Sequence, residues 1–264
     1  DKFDYEYFNI SPREACLMDP HQRLYLELSV EAIEDAGYST EKMRKSKTGV
    51  FLGFGTNIKD MYMRMLADVS SEDIADAIVG NTQCVLAGRI SHDLDLKGAS
   101  MVIDTACSSS IVALNTAIQY IKTGQIDSAL VGGIKLMLCP VRNDELYTIG
   151  MESNDGFTRT FDQTATGTAF GESAQMIFIK SYEKAICDGD HIYGIIKSTG
   201  INQDGNSAGV TAPNPISQQE VILDTWNSAG INPEDLGFIE IHGTATRLGD
   251  TIEYKSLNKA FRNY

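Results

Sequence analysis

The sequence lacks the features that mark membrane proteins, disulfide-rich proteins and zinc proteins. It has no apolar run of the roughly 18 residues that a membrane-spanning helix needs, and its first residues lack the character of a signal peptide. Its five cysteines are odd in number and widely spaced, with no Cys-x-x-Cys pair and no Cys/His cluster of zinc-binding spacing. These absences favour a cytoplasmic protein with free thiols and no bound metal.

Positive charge is also scarce, because 22 Lys and Arg stand against 36 Asp and Glu and give a formal net charge of −14. This balance argues against sequence-independent binding to nucleic acid or to an anionic membrane. The 264 residues, 42% of them hydrophobic, suffice for one large or two small packed units. The chain has no initiator Met and stops soon after a capping-box pattern that predicts a helix start at 250–253, so we expect a piece of something longer.

Cys107 stands in a run of small residues between a predicted strand and a predicted helix. The apolar residues 100–103 predict the strand, and helical spacing of apolar residues from Leu114 to Ile121 predicts the helix, which ends at Gly124. A thiol at a helix N-terminus lies beside unpaired N–H groups and the positive end of the helix dipole, which favours thiolate. The pattern therefore indicates a nucleophile for acyl transfer, with those N–H groups holding an oxyanion. The alternative is a small buried cysteine, as most free cysteines are.

Strand and helix patterns alternate along the rest of the chain, which indicates an α/β fold. Helices are predicted from the Asp19 cap to Gly37 and at 72–79, 81–92, 182–187 and 216–229. Strands are predicted at 48–53, 128–138, 174–180, 192–199 and 237–242, with a turn-rich loop at 154–173. The glycine pair at 132–133 predicts close approach of another backbone, where we expect two protomers to meet, and Met61, Met63 and Met65 predict an adaptable apolar surface.

His242 ends one of the predicted strands. Because α/β proteins build their sites at the carboxyl edge of the sheet, we expect it near Cys107, although the two are 135 residues apart in sequence. A single histidine is more often a surface or satisfied core residue, and that alternative stays open here. We assign His21, on a surface-type helix, and His92 and His191, among polar loop residues, to that ordinary class.

Three runs together resemble the β-ketoacyl synthases: Asp104–Ser110, His242–Thr246 and Leu248–Glu253. Four further runs are similar to the ketosynthase domain of modular (type I) polyketide synthases: Phe8–Glu14, Met18–Arg23, Asn202–Gly205 and Thr211–Asn214. The resemblance covers nearly the whole chain and implies a thiolase-like α-β-α-β-α sandwich, incomplete at both ends. It implies that residues 1–190 form the N-terminal half without its first strand, and that 191–264 begin a truncated C-terminal half.

The resemblance also implies roles for particular residues. Cys107 resembles the nucleophile that takes an acyl chain from an acyl carrier protein as a thioester, and His242 resembles one of two histidines that assist decarboxylation of a carrier-bound malonyl unit. Thr244 and Thr246 resemble residues that hydrogen-bond the phosphopantetheine arm, and Glu253 resembles a structural acid near the site, for which helix capping is an equal alternative. The domain would bind no cofactor of its own, and its partners would be the carrier protein, neighbouring synthase domains and a second copy in a homodimer.

Three residues depart from the family pattern. Ala245 and Ser173 stand where Gly is usual, and Thr251 stands where Pro is usual. If position 245 requires a positive φ, alanine adds strain on the order of 1 kcal/mol. The family's second histidine and its lysine would fall after Tyr264, so we do not expect this piece alone to condense anything.

We expect an elongating ketosynthase that loads an acyl chain on Cys107 and condenses it with a malonyl-type extender by decarboxylative Claisen condensation. One alternative is a non-elongating ketosynthase that relays acyl chains without condensation. Another is a non-catalytic module for dimerisation and carrier docking. A cysteine protease or a thiolase would also use a Cys and a His, but neither explains the Thr-Ala-Cys-Ser-Ser-Ser and Asn-Gln-Asp-Gly runs together.

Overall fold

The computed structural model describes residues 2–55, 62, 66, 74–138, 151–210 and 212–264. Met61, Met63, Met65, Cys139 and Thr211 lie outside the described residues. The described chain divides into two compact units. The first contains the described residues of Asp1–Pro140 and Gly171–Ile195, and the second those of Val141–Phe170 and Ile196–Tyr264. Loop residues 151–170 thus group with the second unit.

The described residues of the first unit contain a four-stranded sheet. Its strands are β1 (Thr48–Gly53), β2 (Ser100–Ile103), β3 (Ser128–Lys135) and β4 (Ser173–Lys180), in the order β2-β1-β3-β4. β1 is parallel to β2 and to β3, and β4 is antiparallel to β3. In this register Gly53 pairs with both Ile103 and Gly133. The three residues therefore share the carboxyl edge of the parallel strands.

Helices pack on both faces of this sheet. The helices of the first unit are α1 (Pro12–Leu17), α2 (Pro20–Asp35), α3 (Thr40–Met43), α4 (Ile74–Asn81), α5 (Val85–Asp93), α6 (Ser109–Lys122) and α7 (Tyr182–Asp188). Val50 and Leu52 pack against α2 and α5, whereas Phe51 and Val131 pack against α6 on the opposite face. Successive side chains of a strand point to opposite faces, and helices cover both faces of this sheet. β1 is therefore buried along its whole length. In the described part of the chain, no helix is both long and apolar enough to cross a membrane.

The predicted start of α2 is confirmed, but its first histidine is not on the surface. The Asp19 carboxylate accepts a hydrogen bond from the His21 backbone N–H at 2.8 Å, and Pro20 takes the first helical position. The His21 side chain is fully buried, with Nδ1 at 2.6 Å from the same carboxylate and its ring against that of Phe54, with centroids 4.9 Å apart. His21 is therefore a core residue and not a surface one, because the first turn of α2 faces the core. Asp19 pairs with its Nδ1, whereas the buried Nε2 has no hydrogen-bond partner in the described structure.

The segment after α7 is tied to the sheet by a polar cluster. The Lys180 ammonium on β4 donates to Asp188, to Asp190 at 2.6 Å and to the Tyr38 hydroxyl at 2.7 Å, and Tyr38 in turn donates to Asp190 at 2.6 Å. Burial lowers the pKa of Lys180, but the hydrogen bonds to Asp188, Asp190 and Tyr38 outweigh it and raise the pKa above its ordinary value. The ammonium therefore stays charged and holds residues 188–190 on the first unit.

The described part of the second unit contains two long helices, α8 (Pro215–Ala229) and α9 (Arg247–Asn263), which pack on each other. Asn214 caps α8, with Oδ1 accepting from the Ile216 N–H at 3.0 Å. The Trp226 ring lies edge-on to that of Phe261, with centroids 5.1 Å apart. This contact joins the C-terminal parts of the two helices.

Two predicted strands are wrong. Residues 192–199 and 237–242 form no strand among the described residues. Their apolar side chains are not buried either, since Ile195 is half exposed and Phe238 is 85% exposed. An apolar run predicts a strand only through its side chains, whereas a strand forms by backbone pairing with a neighbour, which these runs lack in the described structure. His242 therefore follows an irregular segment and does not end a strand.

Candidate active site

The predicted strand–turn–helix arrangement around Cys107 is confirmed. β2 ends at Ile103, a 3₁₀ turn covers Ala106–Ser108 with Cys107 at its centre, and α6 begins at Ser109 and runs for 14 residues. The Cys107 side chain is exposed, so it is not a small buried cysteine. Its sulfur is carried into solvent at the N-terminal end of a long helix, where backbone N–H groups and the helix dipole favour negative charge.

The turn that carries Cys107 is fixed by its own side chains. The buried Ser109 hydroxyl accepts from the Thr105 N–H at 2.9 Å and donates to the Ala106 carbonyl at 2.7 Å. Asp104 Oδ1 accepts from the Ala106 N–H at 3.1 Å. Ala106 has φ 53°, in the left-handed region that alanine rarely adopts. A strained residue directly before a proposed nucleophile persists because the surrounding hydrogen bonds hold it.

Two glycines at the carboxyl edge of the sheet let α6 begin very close to the strands. A Cβ on Gly53 would lie 2.5 Å from the Ser110 backbone nitrogen, and one on Gly133 would lie 2.9 Å from Ser110 Cβ. A Cβ on the neighbouring Gly132 would instead lie 2.8 Å from the Tyr25 ring. The predicted close approach at 132–133 is made within this chain, because β3 is an inner strand directly beneath α6. The expected meeting of two protomers nearby stays a prediction.

The backbone of His242 is held by Glu253. One carboxylate oxygen accepts from the His242 N–H at 2.7 Å and the other from the Gly243 N–H at 2.9 Å. His242 is exposed. Because Glu253 stands in the second turn of α9, this helix fixes the position of the His242 backbone.

The helix that carries Glu253 starts earlier than predicted. Thr246 is its N-cap, with Oγ1 accepting from the Gly249 N–H at 3.2 Å, and the first helical residue is Arg247. The prediction of a start at 250–253 was wrong because the Asp250 carboxylate, the predicted cap, is used elsewhere: it accepts from the Phe161 N–H at 2.7 Å.

Thr244 and Thr246 lie together at the start of α9. Their hydroxyl oxygens are 2.9 Å apart, and a Cβ on Gly249 would approach these oxygens to 3.0 and 2.5 Å. Each hydroxyl carries one proton, so the bond between them uses one and leaves the other free to donate. The pair can therefore offer one O–H donor to a polar ligand without breaking the cap.

Loop residues 151–170 fix the His242 segment from a second direction. The Thr160 hydroxyl donates to the Gly243 carbonyl, and the Thr168 hydroxyl donates to the Thr244 carbonyl, each at 2.7 Å. The sequence did not indicate these residues, because the partners are 83 and 76 positions apart and no local pattern links them. Only the predicted abundance of turns in this loop hinted that its side chains bond to backbone groups.

The same loop carries fixed negative charge. Hydrogen bonds from the Arg159 guanidinium, and then from the Ser153 hydroxyl, lower the pKa of Asp155 to about 2. The hydroxyl and the backbone N–H of Thr164 likewise lower the pKa of Asp162. Both carboxylates therefore stay ionised at neutral pH, and Asp155 stays paired with Arg159 at 2.9 Å.

Ala245, which stands where the family usually has glycine, adopts a positive φ. Its φ is 56° and its side chain is fully buried. Ala245→Gly would relieve backbone strain of about 1 kcal/mol but would remove a buried methyl group worth about 0.8 kcal/mol, so we expect the free energy of unfolding to change by less than about 0.5 kcal/mol. Chemical denaturation of the full-length protein measures the change. Gly243→Ala is the matched control, with φ 55° and a new Cβ 3.0 Å from Thr160 Cγ2, and should lower the free energy of unfolding by about 1 kcal/mol or more. A stabilised control, or a loss of more than about 1 kcal/mol in Ala245→Gly, would contradict this account.

The other two departures are accommodated. Ser173 begins β4, where it pairs with Lys135. Thr251 lies in the first turns of α9, and its hydroxyl donates to the Arg247 carbonyl at 2.8 Å. Neither position has a positive φ, so neither residue carries the strain of Ala245.

The described structure is that of an α/β protein, with an exposed cysteine in the turn between a parallel strand and the helix that follows it. Strand–turn–helix elbows of this kind are typical of acyl-transfer enzymes. The family models agree with this class: residues 1–185 match the N-terminal domain of β-ketoacyl synthase, and residues 193–264 match its C-terminal domain. The chain therefore belongs to the β-ketoacyl synthase family.

Curated relatives of the chain are polyketide synthases. Polyketide synthase PksN of Bacillus subtilis (strain 168) is 42% identical over 260 residues, which is 98% of this chain and 5% of that protein. The highly reducing polyketide synthase alnA of Emericella nidulans is 41% identical over 259 residues, 98% of this chain and 10% of that protein. The chain thus spans only a small part of the curated relatives that it matches.

Solved structures give the same assignment. The ketosynthase from module 6 of the bacillaene synthase of Bacillus subtilis 168 has a TM-score of 0.89 at 41% identity, over 99% of this chain and 44% of that one. An oxazolomycin ketosynthase domain from Streptomyces albus JA3453 has a TM-score of 0.90 at 32% identity, over 99% and 44%. The fold is the thiolase-like fold of ketosynthases, and the chain covers less than half of each of these structures.

Proposed function

We propose that this chain is the part of a polyketide-synthase ketosynthase that accepts an acyl chain on Cys107. The observation that carries the proposal is the exposed Cys107 at the start of α6, in a chain of the β-ketoacyl synthase family. The Cys107 thiolate would attack the thioester carbonyl of an acyl chain on the phosphopantetheine arm of an acyl carrier protein. A carbon–sulfur bond to Cys107 forms, the carbonyl is restored, and the carrier thiolate leaves.

The arrangement of the elbow suits this transfer. The tetrahedral intermediate carries a negative oxygen, and backbone N–H groups at the start of a helix stabilise such a charge without having to reorganise. Thr244 and Thr246 would hydrogen-bond the phosphopantetheine arm with the hydroxyl proton that their pair leaves free.

The second step of the proposed reaction is decarboxylative Claisen condensation. The malonyl unit on a carrier loses carbon dioxide, and the electron pair left behind forms an enolate, whose oxygen His242 would stabilise through an imidazole N–H. The enolate carbon attacks the Cys107 thioester, a carbon–carbon bond forms, and the Cys107 thiolate leaves. Glu253 would position His242 through its hold on the backbone.

A second function is acyl relay without condensation. The strained, buried Ala245 supports it, because this departure lies three residues after His242, in the segment assigned to the decarboxylation step. In this case Cys107 would accept and return the acyl chain, and no carbon dioxide would form. A module for dimerisation and carrier docking is the remaining non-catalytic alternative.

Partners and organisation complete the proposal. The first half of the domain would span residues 1–190, and residues 191–264 would begin the second. The chain would work in the cytoplasm beside other synthase domains, as a homodimer, with acyl carrier protein as its substrate-bearing partner. The chemistry needs no cofactor held by this chain, because the carrier protein delivers the phosphopantetheine arm. The net charge of −14 makes nucleic acid and anionic membranes unsuitable partners.

The test is mass spectrometry of the full-length protein, supplied with acyl carrier and malonyl carrier, with carbon dioxide measured in parallel. We expect an acyl adduct on the peptide that contains Cys107, followed by a carrier-bound β-ketoacyl product two carbons longer. An adduct without carbon dioxide release would establish the relay. Absence of any adduct at Cys107 would overturn acyl transfer and leave docking.

A further inference from the structure

We propose that Gly133 on β3 and Ser110 on α6 form a positioning pair that sets the place of Cys107 on the sheet. The inference rests on the proposed nucleophilic role of Cys107, and it assigns a function in catalysis to two residues that do not touch substrate. In this arrangement the missing side chain of Gly133 is what permits the start of α6 to reach its working position. Ser110 is the residue of α6 that fills the space.

The contact is made by parts of the chain that cannot rotate away. A Cβ on Gly133 would lie 2.9 Å from Ser110 Cβ and 3.6 Å from Ser110 Oγ. Ser110 Cβ is attached directly to the backbone, so only a shift of α6 or of β3 would relieve the overlap. β3 is paired on both sides, with β1 and β4, and is therefore the less movable of the two.

A shift of Ser110 would be transmitted to Cys107 through a short and rigid path. Ser110 is three residues after Cys107, and the intervening Ser109 holds the turn by hydrogen bonds to Thr105 and Ala106. Ser109 is itself buried, so it moves with the helix. A shift of the start of α6 by a fraction of an ångström would therefore move the turn that carries the sulfur, and reactivity is sensitive to misplacement on this scale.

Gly53 also lies against the start of α6, but its contacts cannot be tested by a rescuing substitution. A Cβ there would lie 2.5 Å from the Ser110 nitrogen and 2.7 Å from the Ser109 carbonyl carbon, which are backbone atoms that no substitution removes. At Gly133 the obstructing atom is a side-chain carbon. It can be deleted by Ser110→Gly and retained by Ser110→Ala, which makes the contact testable by rescue.

The experiment measures the rate at which iodoacetamide alkylates each cysteine at pH 7 in the full-length protein, by quantitative peptide mass spectrometry. We expect Gly133→Ala to slow alkylation of Cys107 by about tenfold, since misplacement of about 1 Å can cost up to about 10²-fold. Cys16, Cys84 and Cys187 are also exposed, and their rates should not change. They serve as references within the same sample.

Rescue decides between positioning and general damage. Gly133→Ala combined with Ser110→Gly should restore the Cys107 rate to within about twofold of Ser110→Gly alone, because sites in direct contact show strong coupling. Gly133→Ala combined with Ser110→Ala should stay slow. If Gly133→Ala does not fold, soluble yield replaces rate as the measurement, and only the Ser110→Gly combination should recover it.

Gly132→Ala is the matched control on the same strand. Its new Cβ would lie 2.8 Å from the Tyr25 ring on the other face of the sheet, away from Ser110, so it should lower the thermal midpoint without slowing Cys107. An unchanged Cys107 rate in folded Gly133→Ala, or equal rescue by both Ser110 variants, would overturn the inference. The proposed function is judged separately, by whether Cys107 of the unsubstituted protein acquires an acyl adduct from the carrier.

Discussion

Cys107→Ala should remove the acyl adduct altogether and lower formation of β-ketoacyl product by on the order of 10³-fold or more, since covalent catalysis has no substitute for its nucleophile. The thiol is exposed and lies at the N-terminal end of α6, where alanine leaves the fold undisturbed. The loss should therefore appear in the chemistry and not in stability. Mass spectrometry of the acyl-enzyme and chromatography of released product measure both quantities.

A second exposed cysteine provides the control for this experiment. Cys187 lies near the end of α7 in the same unit and is also free, so Cys187→Ala removes the same chemical group from a place without an elbow. Adduct and product should match the unsubstituted protein. An adduct that persists in Cys107→Ala, or is lost in Cys187→Ala, would assign the nucleophile to another residue.

Glu253→Gln should lower carbon dioxide release by about 10- to 100-fold while acylation of Cys107 continues, because misplacement of about 1 Å at a reacting group costs up to about 10²-fold. Both oxygens of the carboxylate accept backbone N–H groups, one from His242 and one from Gly243. An amide has one acceptor oxygen and would turn an N–H₂ donor toward the other N–H. The backbone would then move away and take the imidazole with it.

The measurement starts from protein already acylated at Cys107, so that carbon dioxide release reports the second step alone. Glu220→Gln is the matched control, because it makes the same change at an exposed position of α8 in the same unit. Its rate should equal that of the unsubstituted protein. Carbon dioxide release at the full rate in Glu253→Gln would show that the hold on His242 has no catalytic role.

The elements around Cys107 were predictable because their determinants are local. The strand before the turn is a short apolar run, and α6 shows apolar residues at helical spacing up to Gly124. The start of α2 was predictable for the same reason, since Asp19, Pro20 and the capped N–H lie within three residues. At the start of α2 the stabilising contact lies within a few positions in sequence, whereas the strand also pairs with β1, 50 residues earlier.

The structure of the segment around His242 could not be predicted from its residue pattern. Residues 237–242 have the apolar pattern of a strand, yet they have no pairing partner in the described structure. The start of α9 was misplaced because Asp250 bonds to Phe161, 89 residues away, instead of capping the helix. A capping pattern cannot reveal that its acceptor is already used by a distant donor.

The order of residues along the chain was enough to identify the family, the nucleophile candidate and the helix on which it stands, because motif order and helical periodicity are written in neighbouring residues. The folded structure was needed to show that Gly133 leaves room for Ser110, that Thr160 and Thr168 hold the backbone after His242, and that Ala245 adopts a positive φ. These features depend on which distant segments pack together. Packing distance and backbone conformation follow from the whole fold, and no spacing of residues along the chain encodes them directly.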